Sequence, residues 1–217
     1  MTLDRLNMTQ TSSLILTDLR SLTAQALPIV DNVFDTAKST LRAMVTDDGH
    51  ISGALIEANQ TAAHGVAWLA TYTHALHQMQ GWADRLVADS KFGEVEQLIH
   101  QIAFAEYLLQ IAGGIQMNQG EVVRLQDMGL GADVAATLST LAITALTQTG
   151  NTQAVRTRLV VLMQEQAANI TVGASGLDEE LEMIREQFRR FTLEKVEPFA
   201  HDWHLKDELI PMEIIEE

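Results

Sequence analysis

Apolar residues at Leu177, Leu181, Ile184, Phe188 and Phe191 fall at intervals of four, three, four and three, the period that lines one face of an α-helix. Glu197-Pro198 is expected to close that helix, because the residue before a proline is pushed out of the α region. A short connector carrying Trp203 should follow, and Ile210-Pro211 reads as a new helix start, with proline in the first turn, where its missing N–H costs nothing. Six residues remain after Pro211, whereas an isolated helix needs about 12 or more to hold together in water. The sequence therefore reads as the front of something longer.

The same period runs through the rest of the chain. A helix is expected from Leu14, capped by Thr11-Ser12-Ser13 and kinked or divided at Pro28. Asp47-Asp48-Gly49 marks a turn. One long helix is predicted over residues 53–89, ended by Lys91-Phe92-Gly93. Another is predicted over residues 94–112, with Val95, Leu98, Ile102 and Leu109 inward and Gly113-Gly114 as its stop. A shorter helix is expected around residues 119–127. Two more follow, over residues 133–147 with Val134, Leu138 and Leu141 on one face, and over residues 152–168 with Val155, Leu159 and Leu162. β-Branched alternation is scarce and no Asn-Gly hairpin turn occurs. These lengths and short links predict an all-α fold, an antiparallel helical bundle over residues 1–171. Val172-Gly173-Ala174-Ser175-Gly176 is small and uncharged, and is the expected flexible linker. Residues 177–217 form a second, incomplete helical unit.

Composition narrows the function classes. At 217 residues and 47% hydrophobic, the chain can bury one large or two small cores. No apolar run reaches the roughly 18 residues of a membrane span, and no basic-then-apolar leader opens the sequence. The absence of cysteine removes disulfides and thiolate metal sites. Together these features give a cytoplasmic expectation with no membrane partner. The net charge of −15 offers no positive footprint for a phosphate backbone, so no nucleic-acid partner is expected. The acidity is uneven: from Asp178 onward thirteen acidic residues face five basic ones, which reads as a solvated helix face.

Chemistry is sparse. A carboxylate-bridged di-iron bundle needs Glu-x-x-His on two helices, and no such pair is present. His74 and His77, Glu96 and His100, and His201 and His204 are spaced for one helix face or one turn, but two ligands do not make a metal site. There is no Gly-x-Gly-x-x-Gly, no Walker loop and no Gly-x-Ser-x-Gly elbow. Trp68, Tyr72 and Trp82, at helical spacing in an alanine-rich stretch, read as core packing.

Leu181-Glu182-Met183-Ile184-Arg185-Glu186-Gln187-Phe188-Arg189-Arg190-Phe191, followed by Glu194-Lys195-Val196-Glu197-Pro198-Phe199-Ala200 and Trp203, resembles the opening helix and corner of acyl-CoA dehydrogenases. Upstream, Ala67-Trp68-Leu69-Ala70-Thr71-Tyr72, Phe92-Gly93-Glu94-Val95-Glu96-Gln97-Leu98, Ile111-Ala112-Gly113-Gly114-Ile115 and Gly120-Glu121-Val122-Val123-Arg124-Leu125 resemble the extra helical region that one branch of the family carries before the usual fold. Trp203-His204-Leu205-Lys206-Asp207-Glu208-Leu209-Ile210-Pro211 resembles the same branch. Gln110-Ile111-Ala112-Gly113-Gly114, with Arg124 downstream, is similar to a Gln-x-x-Gly-Gly motif in the family's C-terminal helical domain, where it approaches the FAD of a neighbouring subunit. The region then reads as a degenerate copy of that domain. Against this stands the plain reading that Gly113-Gly114 only ends a helix and turns the chain.

The resemblance implies FAD in the complete protein, with no cofactor expected for residues 1–217 alone. It implies an acyl-CoA substrate, an electron-transfer flavoprotein as electron acceptor, and a homo-oligomer. For this branch the implied reaction converts methylsuccinyl-CoA to mesaconyl-CoA. A catalytic glutamate would remove the α-proton of the thioester while the β-hydrogen leaves as hydride. No glutamate here matches that base, so the sequence assigns no catalytic, cofactor-binding or metal-ligating residue. The competing expectation is a stand-alone helical protein-interaction module without catalytic activity.

Overall fold

A computed structural model describes residues 14–166 and 172–217. It is an all-α protein with two short antiparallel hairpins, and it divides into two compact units that meet in sequence at Ala174 and Ser175.

The first unit is a helical bundle. Helix α1, Leu19–Met44, buries Leu19, Thr23, Ala26, Leu27, Val30, Val33 and Ala37 along one stripe. It starts later than its periodicity predicts, because Asp18 takes a left-handed conformation and breaks the chain away from Leu14. Pro28 lies inside α1 without dividing it. The expected cap at Thr11-Ser12-Ser13 falls outside the described residues. Asp48 and Gly49 both have positive φ, the two-residue turn that closes an antiparallel hairpin, and they join β1 (Thr46–Asp47) to β2 (His50–Ile51).

The long helix predicted over residues 53–89 is two helices, α2 (Gly53–Ala58) and α3 (Gln60–Ala88). Asn59 makes the break. Its side-chain amide donates to the Leu55 carbonyl at 2.8 Å while its backbone N–H bonds Leu55 and Ile56, so the side chain competes with helix continuation. Helix α4, Glu94–Gly113, is the central element, packing against α1 and α3 as well as the two longer helices that follow it. Val95, Leu98, Phe104, Leu108 and Ile111 point inward, whereas Leu109, predicted inward, is 46% exposed.

The helix expected over residues 119–127 is absent. Gly114, at φ 135°, sends the chain into β3 (Ile115–Asn118), which pairs with β4 (Glu121–Val123). The Asn118 side chain accepts from the Gly120 N–H at 2.8 Å and sets the turn. A 3₁₀ turn follows at Leu125–Met128. The helix expected over residues 133–147 is also split, into α5 (Ala132–Thr137) and α6 (Leu141–Thr149). Thr140, extended, caps α6 by accepting from the Ile143 N–H. The break buries Leu138 and turns Leu141 outward to 91% exposure. Thr152 caps α7, Gln153–Glu165, which buries Val155 and Leu162 and half-buries Leu159.

The second unit opens with α8, Glu179–Phe191, capped by the Asp178 carboxylate, which accepts from the Leu181 N–H at 2.8 Å. Glu197-Pro198 does not close this helix as expected. Thr192–Val196 forms one π turn, with the Glu197 N–H reaching the Thr192 carbonyl, and Pro198 enters the first turn of α9, Glu197–Leu205. The wider turn carries the chain past a residue that lacks an N–H and crowds the preceding turn. Trp203 and both neighbouring histidines therefore lie on a helix rather than a connector. Pro211 caps the last helix, α10, Met212–Glu216. No residue from Ser175 to Glu217 is buried.

Candidate functional site

The histidines do not converge. His77 Nε2 lies 2.7 Å from Asp31 Oδ1, across from α3 to α1. With Phe34, Asp35, Thr73 and His74 this pair lines an open groove of about 620 Å³. His74 turns to Gln78 instead, and Asp35 is taken by Lys38 at 2.6 Å. His201 and His204 are exposed on α9. Among the described residues no group of three histidine or acidic side chains is arranged to hold a metal ion. His100 and Glu96 share α4 but face different tasks. His100 is fully buried, with Nε2 3.2 Å from Thr23 Oγ1, whereas Glu96 bonds backbone N–H groups at Gly93 and Ala174.

Trp68 and Tyr72 pack as expected, whereas Trp82 is half-buried outside the main core, against Phe92 and His100. Tyr72 is buried and Trp68 lies against the main core, in edge contact with the Tyr72 ring. Tyr72 also starts a polar chain that crosses the bundle. Its hydroxyl donates to Gln110 Oε1 at 2.5 Å, and Gln110 Nε2 donates to Glu106 Oε1 at 2.9 Å. Glu106 Oε2 then accepts from Asn151 Nδ2 at 2.8 Å and from Arg156 at 3.4 Å. Burial, followed by the neighbouring Tyr107 and Glu106 charges, pushes the Tyr72 hydroxyl above its ordinary pKa of 10.0, which keeps it a donor. Sequence reasoning missed Glu106, Asn151 and Arg156. The available signal was Glu106 itself, a charge in the apolar stretch between Ile102 and Ile115, where an unpaired carboxylate is costly.

That chain decides how the Gln110-x-x-Gly113-Gly114 motif fits a flavin. Gln110 has a partner at its side-chain oxygen and another at its side-chain nitrogen. A Cβ on Gly114 would meet Val122 Cγ1 at 2.6 Å and Arg124 Cγ at 3.3 Å, so this glycine admits the β3–β4 hairpin rather than a cofactor. Gly113 faces open space, and no flavin chemistry is derived from these residues.

The surface best suited to recognition lies on the second unit. Leu177, Leu181, Ile184 and Phe188 are all exposed, Phe188 to 69%. Phe188 and Phe191, with Ile214 and Ile215 of α10, line an apolar groove of about 300 Å³. Contiguous apolar surface of this kind marks an interaction site or an aggregation liability. Phe188→Asp is expected to reduce binding of a hydrophobic dye roughly by half and to raise solubility. Titration of the purified chain with such a dye checks this; unchanged binding would mean the stripe is not the exposed apolar site.

No family model matches the chain. A curated protein, (2S)-methylsuccinyl-CoA dehydrogenase of Cereibacter sphaeroides, is 54% identical over 202 residues. The match covers 93% of this chain and 36% of that protein, so the chain spans little more than a third of the relative's length. The resemblance read from the sequence is thereby borne out: over nearly all of its residues this chain is related to an acyl-CoA dehydrogenase, (2S)-methylsuccinyl-CoA dehydrogenase.

Proposed function

We propose that this chain forms part of a flavin-dependent acyl-CoA dehydrogenase that oxidises (2S)-methylsuccinyl-CoA to mesaconyl-CoA. The observation that carries the reading is 54% identity extending over 93% of the chain. On this reading residues 1–171 are a helical extension, a degenerate copy of a dehydrogenase C-terminal helical domain. Residues 172–176 link it to the opening helices of the dehydrogenase N-terminal domain at residues 177–217. FAD, bound elsewhere in the complete enzyme, supplies the hydride acceptor. The catalytic base likewise belongs to other residues. What this chain contributes is scaffold: a bundle stapled by the Tyr72–Gln110–Glu106–Asn151 hydrogen bonds, and an apolar α8 face that packing in a larger assembly would cover. An electron-transfer flavoprotein as acceptor, a homo-oligomeric enzyme and a cytoplasmic site complete the proposal. Among the described residues no helix is long and apolar enough to cross a membrane.

The enzyme encoded by the gene's whole reading frame is expected to oxidise (2S)-methylsuccinyl-CoA with an artificial electron acceptor, and purified 1–217 to leave it unchanged. Oxidation by 1–217 alone, or indifference of the whole enzyme to this thioester, would overturn the reading. The exposed α8 stripe also suits a second reading, a helical interaction module without catalysis. A reading frame that stops at Glu217, together with a monodisperse 1–217 protein, would select it.

A further inference from the structure

The five residues read as a flexible linker include one residue whose N–H and C=O are both held. The Ala174 N–H donates to Glu96 Oε1 at 2.8 Å, and the Ala174 carbonyl accepts from Trp82 Nε1 at 3.0 Å. The two side chains come from different helices, α4 and α3. Glu96 is only 7% exposed, and its second oxygen accepts from the Gly93 N–H at 3.0 Å, so both carboxylate oxygens are used. Trp82 is steadied by an edge contact with Phe92, ring centroids 6.3 Å apart. Val172 rests against the small core of Val95, Leu98, Val155 and Leu162. Gly173, at φ +81°, lets the backbone lie on α4: a Cβ there would stand 3.2 Å from Glu96 Oε1 and 3.4 Å from Val95 Cγ1.

We propose that Trp82 and Glu96 are positioning residues, a clip that pins the segment Val172–Ala174 to the helical bundle and fixes the pivot of the chain at Ala174. A linker selected only for freedom needs no buried acceptor. A carboxylate removed from water is costly unless its oxygens are hydrogen-bonded, so the Glu96 side chain and the Ala174 amide depend on each other. Hydrogen bonds to a charged group are among the stronger ones, and the clip places one of these, from Glu96, on the Ala174 N–H and a neutral one, from the Trp82 indole, on its carbonyl. Movement of whatever follows is therefore confined to bonds beyond Ala174, although Gly173 just upstream of it would permit more. This inference does not depend on the enzymatic reading.

Amide hydrogen exchange of the intact 217-residue chain, resolved by NMR, tests it. The Ala174 amide is expected to exchange slowly in the wild type. Glu96→Ala should speed it by about ten- to a hundredfold, while the Leu108 and Ile111 amides of α4 keep their protection. Glu96→Gln keeps one side-chain acceptor and should restore part of the loss, which a purely steric role would not predict. Trp82→Phe preserves the ring, removes only the donor, and should also speed Ala174; it remains informative if Glu96→Ala fails to fold. Exchange of Ala174 at the rate of an unstructured peptide in the wild type would overturn the proposal. So would unchanged Ala174 exchange in Trp82→Phe with the α4 core still protected.

Discussion

Gly65→Val is expected to destabilise the helical bundle by about 3 kcal/mol, while Gly81→Ala on the same helix stabilises it by roughly 0.5–1 kcal/mol. Both positions lie inside α3, past its first turn, where glycine is a poor helix former and any side chain but proline gains in propensity. What separates them is the space beyond the backbone. A Cβ on Gly65 would meet Val123 Cγ1 at 2.4 Å and the Met128 side chain at 3.1 Å. Val123 is fully buried on the β3–β4 hairpin and stiff at χ1, so it cannot swing clear, and the hairpin must lift from α3. At Gly81 the nearest atom is Arg85 NH1 at 3.4 Å, the far end of a flexible chain. Overpacking therefore wins at Gly65 and propensity wins at Gly81. Thermal unfolding resolves the pair, since each kcal/mol moves the midpoint by about 2–4 °C in a chain of this size. Midpoints shifted in the same direction would show that close packing of the hairpin on α3 is not what glycine provides.

The same contact explains why the hairpin could not be read from the sequence. Val122, Val123 and Leu125 are apolar and closely spaced, and a short apolar run does not distinguish helix from strand. The turn is set by Asn118 across Gln119-Gly120, not by the Asn-Gly pair that announces a two-residue hairpin. The breaks at Asn59 and Thr140 failed for a related reason: each is a single polar residue whose side chain takes over one backbone bond. Periodicity continues through such a residue unchanged. Pro198 misled in the other direction. A proline rule predicts an end, but a π turn absorbed the misfit and the chain stayed helical. Where a helix has one strong stripe, as α8 does, side-chain direction was legible. Where it is enclosed on most sides, as α4 is, Leu109 could not be told from its buried neighbours Leu108 and Ile111.

The candidate surfaces divide the same way. The α8 stripe is a local pattern, visible within fifteen residues, and it is exposed where the period places it. The clip is not local. Glu96 finds Ala174 at a separation of 78 residues, and nothing in either segment signals the other. The family resemblance lay between these cases: separate short segments carried it, and the 54% identity runs through all but a small part of the chain.

His100 is expected to make the bundle sensitive to acid over a defined window. The ring is fully buried among Trp82, Phe92 and Phe104, the last only 4.8 Å away centre to centre. Burial lowers its pKa from 6.5 to about 4, with Asp84 opposing and Arg20 assisting. The hydrogen bonds agree. Thr23 Oγ1 donates to Gln80 Oε1 at 2.7 Å, which leaves it to accept from His100 Nε2–H at 3.2 Å. His100 Nδ1 has no partner, so a second proton would be a buried donor with nothing to receive it. Because the folded state holds the imidazole neutral while the unfolded chain protonates near 6.5, the stability linked to this residue is complete above pH 6.5. It is lost as the pH falls from 6.5 to about 4, a loss of about 3 kcal/mol. His100→Phe retains an aromatic ring in the cluster and removes the titration, so its stability should fall less across that window. Denaturant unfolding at pH 7 and pH 4.5 measures the difference. Equal losses in the two proteins would mean that other groups govern the acid response. If they differ as expected, the neutral ring at the centre of the aromatic cluster sets the lower pH limit of the bundle, one helical turn from the carboxylate that holds Ala174.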